Sequence, residues 1–177
     1  MKPTPERFAE VFALVEPLIE RRWGIPVSIR DVPHPFTGDL DGAEIHVDYD
    51  LEAEDALFIV VHLFGHTVQW NTSEEARAIG RHPGPWDAPT LARLRAYETD
   101  ACRLSMQLFH DAGVHDLDHW LSDFAACDYA YLEHFYRTGD KREFRSFWTD
   151  NNPVLSPLKI PDFSPQRWHT RIDGIVI

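Results

Sequence analysis

Two histidines near the middle of the chain, His62 and His66, have the spacing of a pair that binds one metal ion. They lie in the segment LFIVVHLFGHTVQW, whose apolar pattern predicts a buried helix, so both imidazoles project from one face about one turn apart. Imidazole nitrogens bind zinc, iron and copper. A chance spacing of two unrelated histidines explains the pair equally well, so the pair needs support from its surroundings.

The segments around this pair follow one another in a distinctive order. An apolar strand, AEIHV, and an acidic turn precede the histidine helix, and a helix containing YETDACRLSMQLF follows it. Over roughly residues 43–112 this order resembles the gluzincin metallopeptidases, particularly the small bacterial ImmA/IrrE-like group, which carry HExxH on one helix and an ExxA[DN]-type glutamate on the next. The resemblance implies that His62, His66 and Glu98 bind one metal ion, with Ala101 as the small residue of the second motif and Gly65 as in the HEFGH version.

Two positions depart from the family pattern. Leu63 occupies the position of the catalytic glutamate, and a leucine cannot accept a proton. Because loss of a positioned general base costs on the order of 10²–10⁴ in rate, the chain is not expected to be a conventional peptidase. Cys102 replaces the Asp or Asn that orients a ligand histidine in the family, a role that Asp100 could take instead.

Several polar residues are candidates for catalysis. Gln69 follows His66 by one helical turn on the same face, where it either contacts the site or caps the buried end of the helix. Asp100 and Glu133 are candidates for a base recruited from elsewhere in the chain, and so is Glu74. Such a base must lie within hydrogen-bond reach of the reacting atoms.

A second group of histidines and aspartates lies further along the chain, at the predicted boundary between two helices. Its members are His110, His115, His119, Asp111, Asp116 and Asp118. Gly113 interrupts the helix at this point, and an exposed, charged corner accounts for the composition. We therefore expect a solvated corner here and not a metal site.

The ligand set leaves three functions open. The first is a metal-dependent enzyme that acts on a small molecule, since two histidines and one carboxylate with open positions suit zinc and also non-heme iron(II). With iron no protein base is needed to activate O₂, and Leu63 would form an apolar wall beside the open positions. The second is a metallohydrolase with a recruited base, and the third is an inactive pseudopeptidase that binds or regulates a protein partner. We favour the first, a non-peptidase metalloenzyme with a small-molecule substrate.

The composition argues against several other classes of function. The chain has 177 residues, a net charge of −12 and no basic stripe, so nucleic acid is not an expected partner. No apolar run approaches the length of a membrane span, and the first residues, MKPTPERFAE, lack a signal-peptide core, so we expect a cytoplasmic protein without a membrane partner. Cys102 and Cys127 are too few for a disulfide framework and are predicted to be reduced core thiols.

The elements that must position these residues are mainly helical. Helical periodicity predicts helices over residues 4–23, 52–70, 89–110 and 116–137, with a shorter helical segment over 141–148. Alternating patterns predict strands within 26–32 and 43–49, as antiparallel neighbours, and a further short strand in RIDGIVI at the end. We expect 80–89 to be an irregular loop that rims a site and 151–165 to be an extended tail.

Together these elements predict a single α+β domain over residues 1–177. It is expected to be mainly helical, with a small antiparallel sheet packed on the helix that carries His62 and His66. The resemblance implies a zincin-like (minigluzincin) domain, with a metal-binding core over about residues 43–112 and C-terminal helices and tail over 115–177.

Overall fold

The computed structural model describes residues 3–168 together with residues 174 and 175. In that part of the chain the helices are α1 (Pro5–Trp23), α2 (Ala53–Thr72), α3 (Glu74–Gly80), α4 (Ala88–Asp111) and α5 (Asp118–Thr138), and Phe144–Phe147 forms a 3₁₀ turn. The strands are β1 (Val27–Arg30), β2 (Gly38–Leu40), β3 (Ile45–Asp48) and β4 (Gly174–Ile175). The fold is α+β and mainly helical with a small sheet, which confirms the predicted class.

Local sequence signals set the ends of the longer helices. Oγ1 of Thr4 accepts a hydrogen bond from the backbone N–H of Arg7 at 3.3 Å, and the carboxylate of Asp87 accepts one from the N–H of Thr90 at 2.9 Å. Both α1 and α4 therefore begin at a capping residue, and each has a proline in its first turn. Gly24 ends α1 in the left-handed region, with a φ of 67°.

The central element of the molecule is α2. Every residue of Leu57–Trp70 is buried, which explains why this segment is apolar on nearly all sides. It packs against α1, α4 and the sheet. The ring of Phe64 lies 4.7 Å from that of Trp23 in α1, and Phe58 stacks on Phe124 of α5 with centroids 3.9 Å apart. Polar side chains on a helix so enclosed need partners, because an unpaired buried polar group is costly.

The sheet is mixed, which corrects the predicted antiparallel pairing of the first two strands. The strand order is β1-β3-β2-β4, with β1 parallel to β3 and with β2 antiparallel to β3 and β4. The strand β2 was not predicted, because Pro33, Pro35 and Gly38 interrupt the alternating pattern between the two predicted strands. Since β2 lies between β1 and β3 in the chain and pairs antiparallel to β3, the chain reverses twice, and β3 runs in the direction of β1.

Gly38 allows the sheet to lie directly on α2. A Cβ at this position would be 2.7 Å from Cγ2 of Ile59 and 2.9 Å from Cδ1 of Leu63, both on α2. A side chain at position 38 would therefore collide with these two side chains and, at 2.8 Å, with the backbone carbonyl of His46. The sheet packs on the histidine-bearing helix, as predicted.

One short helix was not predicted, one predicted helical segment is shorter in the structure, and the predicted C-terminal strand is described only in part. The short helix α3 was not predicted; the hydroxyl of Ser73, directly after α2, caps it by accepting a hydrogen bond from the N–H of Ala76 at 3.1 Å. The predicted helical segment over 141–148 is reduced to the 3₁₀ turn. Within RIDGIVI, Gly174 and Ile175 form β4, and its other residues lie outside the described part of the chain.

The expectations about two irregular segments and about the cysteines agree with the structure. Residues 81–87 are irregular, and 151–165 lack helix and strand. Cys102 and Cys127 are buried free thiols. Within residues 3–168 and 174–175, no helix combines the length and the apolar composition needed to cross a bilayer.

Candidate metal centre

A single glycine allows α2 and α4 to approach closely. A Cβ on Gly65 would overlap the carbonyl of Ala101 and would lie 2.9 Å from its Cα. On the same side of α4, Ser105 donates a hydrogen bond to the carbonyl of Val61 at 2.7 Å. Glu98 lies one turn before Ala101 on α4, so this contact brings its carboxylate to the histidine face of α2.

Three potential ligand atoms meet beside this contact. Nε2 of His66 lies 3.0 Å from Nε2 of His62 and 3.1 Å from Oε2 of Glu98, and Nε2 of His62 lies 3.2 Å from the same oxygen. Ligand atoms about 2.1 Å from one ion are about 3.4 Å apart in a tetrahedron and about 3.0 Å apart on the face of an octahedron. The observed triangle falls in this range, and all three residues are buried. The three residues named from the sequence thus form a group that could hold a metal ion.

Hydrogen bonds assign which nitrogen of His66 faces this group. The amide nitrogen of Gln69 donates to the backbone carbonyl of Tyr97 at 2.8 Å, so the amide oxygen accepts a hydrogen bond from Nδ1 of His66, also at 2.8 Å. With its proton on Nδ1, neutral His66 presents the lone pair of Nε2 to His62 and Glu98. The ring of Tyr97 stacks on that of His66 with centroids 4.3 Å apart. Gln69 therefore orients a candidate ligand.

His62 is oriented by softer contacts. Its Nδ1 lies 3.5 Å from Sγ of Cys102, and its ring stacks on that of Phe58 with centroids 5.0 Å apart. Burial, assisted by nearby carboxylate charges, raises the pKa of the Cys102 thiol well above its ordinary value. Because the thiolate is the form that binds metals, this protonated thiol contacts His62 without competing as a ligand.

The carboxylate of Glu98 is held in its ionised form. Burial alone would raise its pKa, but in the metal-free protein the charge that His66 carries when protonated, together with hydrogen bonds to both imidazoles, outweighs burial and lowers the pKa to about 2. A carboxylate that is already ionised binds a cation without losing a proton. The group therefore combines one negative charge with two imidazole nitrogens, which suits a divalent cation.

A second carboxylate, that of Asp128 on α5, faces the same group. Its Oδ2 lies 3.9 Å from Nε2 of His62, and the residue is 3% exposed. Burial raises the pKa of Asp128 to about 7; the charge of His62 opposes this effect and that of Glu98 reinforces it. A carboxyl group that titrates near neutrality beside a candidate metal group has the properties of a general acid or base.

Asp128 was not predicted as a site residue, although its position carried a signal. It lies on the buried face of α5 among Phe124, Cys127 and Tyr131, which are all buried. Aspartate is rarely fully buried unless it has a partner or a function. An acidic residue at an apolar position of the helical period was therefore the available indication.

The other residues proposed for catalysis do not join the group. Asp100 and Glu133 each pair with an arginine of their own helix, at 3.0 Å and 3.6 Å, and Glu74 is exposed in the first turn of α3. Leu63 is fully buried and packs on the sheet at Gly38. It therefore does not form the apolar wall that we expected for an iron site, since it faces away from the open side of the group.

The group lies at the floor of a cavity of about 580 Å³. Aromatic side chains make up much of its wall: Trp86, Tyr97, Tyr131, Phe135 and Tyr136. The loop between α3 and α4 forms part of its rim, and there Trp86 stacks on Tyr136 with centroids 4.1 Å apart. The loop thus lines the cavity above the candidate group, and the cavity has the size of a small-molecule site.

A second group that could hold a metal ion lies at the corner between α4 and α5. Nε2 of His110 is 3.0 Å from Oδ2 of Asp118, and its ring centroid is 4.4 Å from that of His115. Gly113, with a φ of 76°, turns the chain so that His115 returns to His110. The glycine that interrupts the helix therefore brings these residues together, in a partly exposed position that does not line the cavity.

Comparison of the chain with protein-family models, with curated proteins and with solved structures finds no match. The resemblance to gluzincin metallopeptidases therefore stays a prediction from the quoted residues. The function has to be inferred from the candidate metal centre and the cavity above it.

Proposed function

We propose that this protein is a metal-dependent enzyme acting on a small molecule, with His62, His66 and Glu98 as the ligands of one divalent ion, zinc or iron(II). The observation that carries the proposal is the triangle of ligand atoms 3.0–3.2 Å apart at the floor of a cavity of about 580 Å³. Three protein ligands leave positions open for substrate, as in catalytic sites and unlike closed structural ones. A cavity of this size with aromatic walls suits a small molecule.

The surrounding residues have separate roles in this proposal. A divalent ion at the group would polarise a substrate oxygen or acidify a water molecule. Gln69 keeps Nε2 of His66 free of a proton and directed at the group, and Glu98 supplies the negative charge. Asp128 accepts or returns a proton, because its carboxyl group titrates near neutrality beside His62.

The position of Asp128 favours a second candidate, a metallohydrolase with a recruited base. Its carboxylate at 3.9 Å from Nε2 of His62 is close enough to act through one water molecule, whereas Leu63 offers no base and faces the sheet. For this candidate the bound ion is zinc and not iron(II). Asp128→Asn would then lower hydrolysis of small aryl esters by the zinc-loaded protein by about 10²–10⁴. An unchanged rate would contradict this candidate.

Elemental analysis of the purified protein tests the metal site directly. The protein is prepared aerobically and anaerobically in a His110→Ala background, so that an ion at the α4–α5 corner does not contribute. We expect about one zinc or iron per chain, and its loss in His62→Ala and in Glu98→Gln. The matched controls are His119→Ala and Glu133→Gln on the outer part of α5, which keep the metal.

The remaining alternative is an inactive pseudopeptidase that binds a protein partner. An enzyme that binds an ion only in its folded state is stabilised as RT ln(1 + [L]/Kd), so its melting temperature rises with free zinc or iron(II). A melting temperature that is the same with and without each metal, together with equal metal content in His62→Ala and the unaltered protein, would overturn the proposed function and leave the pseudopeptidase.

A further inference from the structure

Two cationic side chains at the mouth of the cavity have no carboxylate partner in the part of the chain that the structure describes. Arg81 follows α3 and Lys141 follows α5, and both are exposed and line the cavity. Within residues 3–168 neither makes an ion pair, and the ammonium of Lys141 only lies 5.8 Å from the ring centroid of Phe135. Arg142 and Arg145, the two cations that follow Lys141 in the chain, both pair with carboxylates. Two open cationic positions therefore face the same cavity.

The overall charge makes this local arrangement informative. With a net charge of −12, the chain repels anions at long range, and exposed cations in such a protein are readily neutralised by neighbouring carboxylates. Single unpaired cations on a surface are usually just solvated. Here two of them, from separate segments of the chain, are exposed and line the same aromatic cavity as the buried candidate metal ligands.

Two tyrosine hydroxyl groups in the cavity wall also lack a partner among the described residues. Tyr131 is 6% exposed and lines the cavity, and Tyr136 lines it nearby. Burial, with the charges of Glu98 and Asp128, raises the pKa of Tyr136 to about 12, so its hydroxyl stays a neutral donor. Buried polar groups nearly always have a hydrogen-bond partner, so the hydroxyl of buried Tyr131 indicates a polar atom of a ligand or of its water, and the partly exposed Tyr136 lines the same cavity.

The cavity is therefore polarised from its floor to its mouth. The floor holds the buried carboxylates of Glu98 and Asp128, which disfavour a second anion in the metal-free protein and offset the charge of the ion in the metal-loaded protein. The middle is aromatic, with Trp86 stacked on Tyr136 at 4.1 Å, and flat apolar groups stack well on such surfaces. A ligand that complements this sequence of surfaces has a negative charge at one end only.

We propose that the cavity binds an aromatic carboxylate. Arg81 and Lys141 hold its carboxylate at the mouth, and its flat body lies against Trp86, Phe135 and Tyr136. Its uncharged end points toward His62, His66 and Glu98. The reaction takes place at the end remote from the carboxylate. This inference rests on the proposed function for the reacting end, but the preference for an anion at the mouth does not require the metal.

Calorimetric titration with three probes tests the inference on the metal-loaded and on the chelator-treated protein. The probes are 2-naphthoate, its neutral isostere 2-naphthamide, and acetate, which has the charge without the body. We expect 2-naphthoate to bind at least about tenfold more tightly than either of the other two, with or without metal. Arg81→Gln and Lys141→Gln should each weaken 2-naphthoate about three- to tenfold and leave 2-naphthamide within about twofold.

Arg93→Gln and Lys159→Gln are matched controls. Each removes the same charge as the test variants, but Arg93 and Lys159 line a separate groove of about 420 Å³. Equal weakening by the controls would mean that only net charge matters, and equal affinities for 2-naphthoate and 2-naphthamide would mean that the mouth does not select anions. Either result overturns the inference. If none of the probes binds to a protein that retains its metal, the substrate class is wrong while the metal site stands; if no metal is retained, the proposed function itself fails.

Discussion

Gly65 on α2 lies directly against the backbone of Ala101 on α4, and this contact determines where the candidate metal group forms. One turn before Ala101, Glu98 meets His62 and His66 with its carboxylate oxygen 3.1–3.2 Å from both Nε2 atoms. A side chain at position 65 would separate the helices and with them the ligands. The glycine therefore costs helix propensity but provides the approach that the group needs.

Gly65→Ala tests this relationship. The added methyl group meets backbone atoms of Ala101 that cannot rotate away, so α2 and α4 must separate. We expect the free energy of unfolding to fall by about 1–3 kcal/mol, in spite of the better helix propensity of alanine. Urea denaturation measures the stability, and competition with a chromophoric chelator should show weaker zinc binding. Stability and affinity equal to those of the unaltered protein would mean that the helices are not held by this contact.

Gln69→Leu tests how His66 is oriented. The leucine removes the oxygen that accepts the hydrogen bond from Nδ1 of His66 at 2.8 Å, and the proton is then free to move to Nε2. Loss of such an orienting partner costs about 10- to 100-fold in metal affinity. Chelator competition measures this loss, and Gln107→Leu, at a partly exposed glutamine of α4, is the control that should bind metal normally. Equal affinities in the two variants would rule out the orienting role.

Asp128 should make the stability of the metal-free protein depend on pH. Folded Asp128 keeps its proton up to about pH 7, whereas the unfolded chain releases it near its ordinary pKa of about 4. Between these values the unfolded state binds fewer protons, so the free energy of unfolding contributed by this group falls as pH rises.

Urea denaturation from pH 4.5 to 7.5 measures this contribution as the difference between the unaltered protein and Asp128→Asn. Because asparagine does not titrate, we expect the free energy of unfolding of the unaltered protein to fall relative to that of Asp128→Asn as pH rises. Asp116→Asn is the control: a hydrogen bond from Arg7 lowers the pKa of Asp116, so its own contribution is lost only as pH falls below about 4. Parallel pH profiles for Asp128→Asn and the unaltered protein would contradict the raised pKa.

Leu63→Glu distinguishes a missing base from a structural residue. In a peptidase of the resembling family this change would restore the base, but here the side chain at position 63 is fully buried against β2 at Gly38. We expect the buried, unpaired carboxylate to lower the free energy of unfolding by about 3–5 kcal/mol and no peptide hydrolysis to appear. Leu63→Met, which keeps the volume, should cost less than about 1.5 kcal/mol. A stable Leu63→Glu protein that cleaves peptides would show that position 63 faces the reacting atoms.

Features that depend on short stretches of chain were predictable. Periodicity located the four long helices to within a few residues, and it placed His62 and His66 on one face of α2, because the geometry of a single helix fixes this relationship. Glu98 was named through resemblance, and the contact at Gly65 accounts for its position. The mixed sheet was not predicted, since β2 is only three residues long and its breakers concealed it.

The amino-acid sequence by itself determined the helical class of the fold and the pair of histidines, because both follow from the repeat of one helix. Only the tertiary structure decided that Leu63 faces the sheet, that Asp128 replaces Asp100 and Glu133 as the acidic residue beside the centre, and that Arg81 and Lys141 share one cavity. These relationships join residues far apart in the chain. They depend on which faces of α2, α4 and α5 pack together, and side-chain fit at positions such as Gly65 settles that packing.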